Sequence, residues 1–215
     1  MQKSLSIVLA NTKRSKFYIN ELKKNKIYLK NIIFYSKITD NKILKSLEKY
    51  PYKDNLFLIK SNNINNKTIE KELLKIKSKY ILFSGYNAEI LKNKKILKKN
   101  IIHCHPGLLP KYRGSTVFYY SMLEMNRIDV SVFKITKNID EGRILFTKGY
   151  SFPKNKIDLE NDFDHIIRAK TLVSFIKSKK NKFKKLKSKF DSFYYIAHPI
   201  IRSIILNPRL IFKKL

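Results

Sequence analysis

A single cysteine, Cys104, stands among 215 residues, which excludes an intramolecular disulfide and fits a reducing compartment. Glycine is scarce as well: there are five, and the turn Ala10-Asn11-Thr12-Lys13-Arg14-Ser15 after the first apolar run has none. Backbone amides approach an anion closely only where no Cβ intervenes, so this turn is disfavoured as a phosphate cradle of the dinucleotide or P-loop kind. Acids are few, 16 against 47 Lys and Arg, leaving a formal charge of +31. The excess is nearly all lysine, with 40 Lys to 7 Arg. Sequence readout and phosphate clamping lean on arginine's fork, so a uniform lysine surplus argues against a dedicated nucleic-acid binder. Lys, Ile (30) and Asn (19) are also the residues of A/T-rich codons, a simpler source of the bias. Long hydrophobic runs are missing. Leu5 to Ala10 is too short for a signal peptide and reads as a first strand. Phe193 to Phe212 is aromatic and aliphatic, but two prolines and two arginines interrupt it, making a poor transmembrane span. A cytoplasmic location is expected.

A chain of this length buries one substantial core with an appendage. Apolar runs at Leu5 to Leu9, Ile32 to Tyr35, Leu56 to Ile59, Ile81 to Phe83 and Ile101 to Ile102 alternate with lysine-rich amphipathic stretches around 15–28, 41–49 and 66–78. That alternation predicts an α/β fold with a doubly wound, mainly parallel sheet. Residues 115–126 read as a helix, 129–136 and 143–150 as extended segments around a turn at Asp140, and 159–178 as a closing helix. The organisation is a domain over 1–178 and a short C-terminal extension over 179–215, in which Lys179 to Lys189 carries seven lysines as a linker ahead of the tail. The tail is expected to cap the core or to pair with a second copy in a homodimer, and it could touch an anionic membrane surface weakly.

The chemistry concentrates in His103-Cys104-His105-Pro106-Gly107-Leu108-Leu109-Pro110-Lys111-Tyr112-Arg113-Gly114 and in Asn138-Ile139-Asp140-Glu141-Gly142. Side chains alternate along a strand, so His103 and His105 share one face and Cys104 takes the other. Pro106 cannot continue a ladder and Gly107 permits a sharp turn, which puts both imidazoles where a strand opens into a loop. Ligands bind at the carboxyl edge of open α/β sheets. A histidine there exchanges protons near neutral pH, and a carboxylate such as Asp140 fixes its tautomer and raises its basicity. Three consecutive strand residues cannot all face one ion, so the His-Cys-His run argues against a metal site, and no metal is expected. Cys104 reads as a small buried hydrophobe, not a nucleophile.

On these residues the chain resembles the formyltransferases that use 10-formyltetrahydrofolate. Their signature is Asn-x-His-Pro-Ser-Leu-Leu-Pro-x-Tyr-Arg-Gly followed by Asp-x-Gly-x-Ile, and here His105 and Asp140 fill the His and Asp positions. A weaker likeness extends to Lys79 through Tyr86 with Ile90-Leu91, and to Ile167 through Thr171. The resemblance implies a Rossmann-like catalytic domain in which His103, His105 and Asp140 are catalytic. It implies that 10-formyltetrahydrofolate lies against Gly85, Tyr86, Glu89 and Leu91 on one side and Thr136, Lys137, Asn138 and Ile139 on the other. Tyr112, Arg113 and Gly114 would then contact the substrate. One position departs from the pattern: His103 replaces the family's Asn, whose amide donates a hydrogen bond to the formyl oxygen. An imidazole N–H can do the same, and one such donor is worth roughly 3 to 4 kcal/mol.

Within that family, the glycine-free first turn weighs against glycinamide ribonucleotide, whose enzymes carry a Gly-Ser-Asn loop there. The short tail weighs against tRNA, for which family members append a separate barrel. The expected function is N-formylation of a small-molecule amino sugar, nucleotide-linked and destined for a surface polysaccharide. The alternatives are the other two substrates, or a catalytically impaired folate- or partner-binding homologue, which the His103 change allows.

Overall fold

Runs of Ile, Leu and Val with few polar interruptions make strands that must be covered on both faces, and the computed structural model shows that arrangement. It describes residues 4–38, 42–87, 89–153, 158–178 and 195–206. Five strands alternate with four helices: β1 (Leu5–Ala10), α1 (Lys13–Lys24), β2 (Leu29–Tyr35), α2 (Lys42–Glu48), β3 (Lys53–Ile59), α3 (Lys67–Lys75), β4 (Tyr80–Ser84), α4 (Lys94–Lys98) and β5 (Ile101–His105). A short strand β6 (Gly114–Ser115) and helix α5 (Phe118–Met125) lead into the hairpin β7 (Arg127–Lys134) and β8 (Ile144–Ser151). A π-helical turn over Leu159–Phe163 opens α6 (Asp164–Lys177), and β9 (Tyr195–Ile196) with α7 (Pro199–Leu206) ends the described chain.

The main sheet has the order β3-β2-β1-β4-β5-β7-β8. Pairing is parallel from β3 to β5 and antiparallel from β5 through β7 to β8. The strand order reverses between β1 and β4, so the carboxyl ends there frame a crevice. Alternation divides the core. Leu5, Ile7 and Leu9 of β1 pack on one side with α1 and α6, while Val8 and Ala10 pack on the other with α3. Helix α1 buries Ser15, Tyr18, Ile19 and Leu22, the i, i+3, i+4, i+7 pattern of one helix face. Its start is set by Thr12, whose side-chain oxygen accepts the Ser15 amide at 3.2 Å.

Several boundaries differ from the sequence reading. Strand β5, read from the sequence over residues 100–104, continues through His105 because β7 pairs with it, His103 opposite Phe133 and His105 opposite Ser131. Helix α4 is five residues long, too short to show a period; Asn93 caps it by accepting the amides of Lys95 and Ile96. The helix expected from 115 starts at Phe118, because Gly114 and Ser115 pair in parallel with Tyr195 and Ile196. The helix expected over 159–178 opens as a π turn. Ala197 and Ile205 of the tail join the core beside α1 and α6. Among the described residues no helix is long and apolar enough to cross a membrane. The lysine run from Lys179 to Lys189 lies outside the described residues.

Leu172 of α6 is fully buried in the larger core. Leu172→Ala is expected to cost about 2 to 5 kcal/mol of stability. Urea unfolding checks this as a lower midpoint at unchanged slope; a midpoint that does not move would mean that α6 packs loosely.

Candidate active site

The crevice is a cleft of about 680 Å³, and His103, His105 and Asp140 all line it. A backbone carbonyl can only accept, so each imidazole's orientation follows from its carbonyl partner. His103 Nδ1 lies 3.0 Å from the Phe83 carbonyl of β4 and therefore carries the proton. His105 Nε2 lies 2.8 Å from the Tyr112 carbonyl and does likewise. In the neutral rings, His103 Nε2 and His105 Nδ1 are bare acceptors. Phe133 of β7 stands edge-on to both imidazoles, with ring centroids 6.0 and 6.5 Å away.

Burial, reinforced by the Arg14 and Arg168 charges, holds His103 well below the usual imidazole range. Burial also lowers His105, against the opposite pull of Asp140 and the Tyr112 carbonyl. His103 is thus a neutral acceptor at neutral pH, and the expectation that it donates to an oxyanion is revised. The reason is tertiary: the Phe83 carbonyl takes the one N–H that the neutral ring has.

Asp140 reaches the pair from the loop between β7 and β8, its Oδ2 3.5 Å from His105 Nδ1. Two acceptors this close leave room for a donor N–H between them. Asp140 sits in the left-handed region at φ 55°, and its Oδ2 also accepts the Gly114 amide at 3.2 Å. Gly142 closes the same loop tightly, for a Cβ there would fall 1.5 Å from the Lys134 carbonyl oxygen.

The expected binding residues divide. Tyr86, Glu89, Leu91, Gly114, Thr136, Lys137, Asn138 and Ile139 line the cleft, whereas Gly85, Tyr112 and Arg113 stand behind its wall. Gly85 gives its carbonyl to Arg14 at 2.6 Å and leaves room for Glu89. The Glu89 carboxylate accepts the amides of Tyr86 and Ile64 and the Tyr35 hydroxyl, so its side chain shapes the loop and only its backbone is left for a ligand. Tyr112 is buried with its hydroxyl on Glu124. Arg113 is buried too, 2.7 Å from Glu141 and 3.4 Å from the Ile139 carbonyl, where it braces the Asp140 loop.

Sequence reasoning missed Ser131, Phe133 and Glu160, and gave no role to Arg168 within the Ile167 to Thr171 likeness. Ser131 donates to the Gly107 carbonyl at 2.7 Å and accepts the Leu109 amide at 3.1 Å, stapling the loop after His105. Phe133 could have been found only from the β5–β7 register. Arg168 donates to Asp164 at 2.8 Å and to the Cys104 carbonyl at 3.3 Å; burial opposes the Asp164 charge, yet Arg168 and His165 hold that carboxyl down to about 2. Glu160 lines the cleft from the π turn. Cys104 points into the core, and burial pushes its thiol up to about 12, which leaves it inert as read. Among the described residues, no cluster of three or more His, Cys, Asp or Glu could hold a metal.

The fold is thus a doubly wound α/β sheet with a histidine–carboxylate pair at its carboxyl edge. Residues 2–157 match the family model described as formyl transferase, and the chain belongs to that family. Methionyl-tRNA formyltransferase of Finegoldia magna is 30% identical over 109 residues, which are 49% of this chain and 32% of that protein. The Lactobacillus gasseri protein of the same name is 34% identical over 82 residues, 36% of this chain and 25% of its own length. The chain thus spans a third or less of these curated relatives. Phosphoribosylglycinamide formyltransferase from Streptococcus pneumoniae shares the fold at a TM-score of 0.58 and 13% identity, over 82% of this chain and 98% of that one. A formyltetrahydrofolate deformylase from Pseudomonas putida does so at 0.56 and 12%, over 82% and 64%.

The depressed histidines imply an acid-side instability. Below about pH 6.5 the unfolded chain takes up protons that the folded rings refuse, so stability falls as pH drops, while above that pH the rings contribute nothing. Urea unfolding free energy is expected to decline from pH 7 to pH 5, and His103→Asn should flatten the decline. An unchanged slope in that variant would remove His103 as its source.

Proposed function

We propose that this chain moves a formyl group from 10-formyltetrahydrofolate to the primary amine of a small amino sugar. The observation that carries the reading is the His105–Asp140 pair, 3.5 Å apart inside the cleft. One arm of the cleft suits a pterin: Phe83, Leu91 and Ile135 make apolar walls, with the loop Thr136 to Ile139 beside them. When bound, the donor supplies a formyl carbon on nitrogen that is open to attack by an amine. His105 Nδ1 and Asp140 Oδ2, both acceptors, take an N–H of the attacking amine between them. As the new C–N bond forms they hold its proton, and as the old C–N bond breaks they return it to the departing nitrogen, so the pair ends as it began. His103 Nε2 accepts the second amine hydrogen and so turns the nitrogen lone pair toward the carbon.

The charges around the first turn support a sugar over a ribonucleotide phosphate. Lys13 pairs with Asp162 at 3.0 Å, Arg14 is held by Ser84 and Gly85, and Thr12 caps its own helix. Little of that turn is left to clamp a phosphate. A nucleotide carrier, a role in surface polysaccharide synthesis and a cytoplasmic location belong to the same reading. A second reading, methionyl-tRNA, draws on the names of the curated relatives and on a charge of +31 that suits a polyanion.

Turnover with 10-formyltetrahydrofolate against a nucleoside-diphosphate amino sugar, glycinamide ribonucleotide and methionyl-tRNA decides among them. Formylation of the sugar is expected; formylation of the tRNA alone would move the function to the second reading. Reduced-folate binding with no turnover on any of the three would make the chain a catalytically impaired homologue.

Within this mechanism, His105→Ala and Asp140→Asn are each expected to lower kcat on the order of 100-fold or more, with the Kd for a reduced folate unchanged. Both bare ring nitrogens must stay unprotonated, so kcat/KM should fall on the acid side, with two ionisations in the wild type and one in His103→Asn. A wild-type rate that rises toward acid pH would return His103 to the role of donor.

A further inference from the structure

We propose that residues 195–206 brace the acceptor half of the cleft from behind its wall, with Arg202 acting as a positioning residue that aims Glu160 at a hydroxyl of the acceptor. The inference rests on the function proposed above and names how that same site would recognise its second substrate. Neither Arg202 nor Glu160 falls within the family match, which ends at residue 157.

Glu160 lies on an irregular π turn, where a carboxylate with no anchor would sweep through many rotamers. Here one oxygen, Oε1, is fixed twice: the Tyr119 hydroxyl donates to it at 3.0 Å and the Arg202 guanidinium at 2.8 Å. Arg202 is itself steadied over the Tyr119 ring, 5.9 Å from its centroid. Among the described residues Oε2 has no partner. An ionised carboxylate oxygen can only accept, so this free oxygen selects O–H or N–H donors. A sugar offers hydroxyls.

The rest of the segment grips the same wall. Ser115 and Thr116 line the cleft, and Ser115 sits in the two-residue ladder opposite Ile196. The Ala197 amide donates to Thr116 Oγ1 at 3.4 Å, and the Tyr120 hydroxyl donates to the Ile196 carbonyl at 3.0 Å. Thr116 occupies the left-handed region at φ 55°, a conformation a β-branched residue holds only when its surroundings impose it. The tail supplies that constraint, so its contacts reach the cleft through the backbone at 114–116 as well as through Glu160.

The test uses the full chain with Arg202→Ala and Arg202→Lys. Arg202→Ala is expected to raise KM for a nucleoside-diphosphate amino sugar about tenfold while kcat and the reduced-folate Kd stay within about twofold; Arg202→Lys, which keeps the charge, should recover most of the loss. Amide hydrogen exchange gives a readout that needs no turnover: Thr116 and Val117 should exchange faster in Arg202→Ala, with β1 and β4 unchanged. An unchanged KM, or a folate Kd that shifts together with KM, would overturn the proposal. If the wild type formylates no amino sugar, the function above fails and exchange alone judges the brace. Faster exchange confined to Thr116 and Val117 sustains it, and unchanged exchange there sinks it.

Discussion

The cleft is organised by two backbone carbonyls. Phe83 O and Tyr112 O each take one imidazole N–H, and in doing so decide that the nitrogens left to His103 and His105 are acceptors. Much of the surrounding structure keeps those carbonyls in place. Gly107 must lack a Cβ, because one there would press within 2.7 Å of Tyr112 O and 2.8 Å of His105 Nε2, the two atoms that bond. Ser131 staples the loop between them, and Glu124, holding the Tyr112 hydroxyl, ties that residue to α5. Arg14 fixes the turn after Phe83 through Ser84 and Gly85.

The charge of the chain and the charge of the cleft obey different rules. Lysine is spread through the sequence, while the scarce acids recur at the cleft. Asp140 faces His105, Glu141 holds Arg113, Asp162 holds Lys13, Asp164 holds Arg168, and Glu160 holds Arg202. A buried charge without a partner is costly, so buried Arg113 and Arg168 are each held by a carboxylate, while Arg14 is held by Ser84 and the Gly85 carbonyl. The result is a site with local balance inside a strongly basic protein.

The C-terminal part lies outside the family match. The sheet from β1 to β5 and the hairpin after it supply the histidine–carboxylate pair, and this is the portion that the family match covers. The opposite wall comes from the π turn and α6, with the tail packed behind residues 115–120 and Glu160. On the function proposed above, selection of the second substrate is assigned to that side, where a ladder of two residues and one ion pair set the shape. Short elements of this kind make few contacts of their own and depend on the frame beneath them.

Strand and helix alternation, the shared face of His103 and His105, the inert Cys104 and the arrival of Asp140 from a later loop were all legible in the sequence. The first three follow from local rules of period and strand parity, whereas the place of Asp140 was implied by the resemblance to the formyltransferase signature. The extent of β5, the place of Phe133 and the braces at Ser131 and Arg113 were not, because they depend on which residue of β7 stands opposite which residue of β5. Composition by itself determined that no disulfide could form within the chain and that its first turn held no glycine. Only tertiary structure decided that His103 accepts and does not donate. A neutral imidazole has one proton to give, and no local pattern reveals that the carbonyl of a strand twenty residues earlier has already taken it.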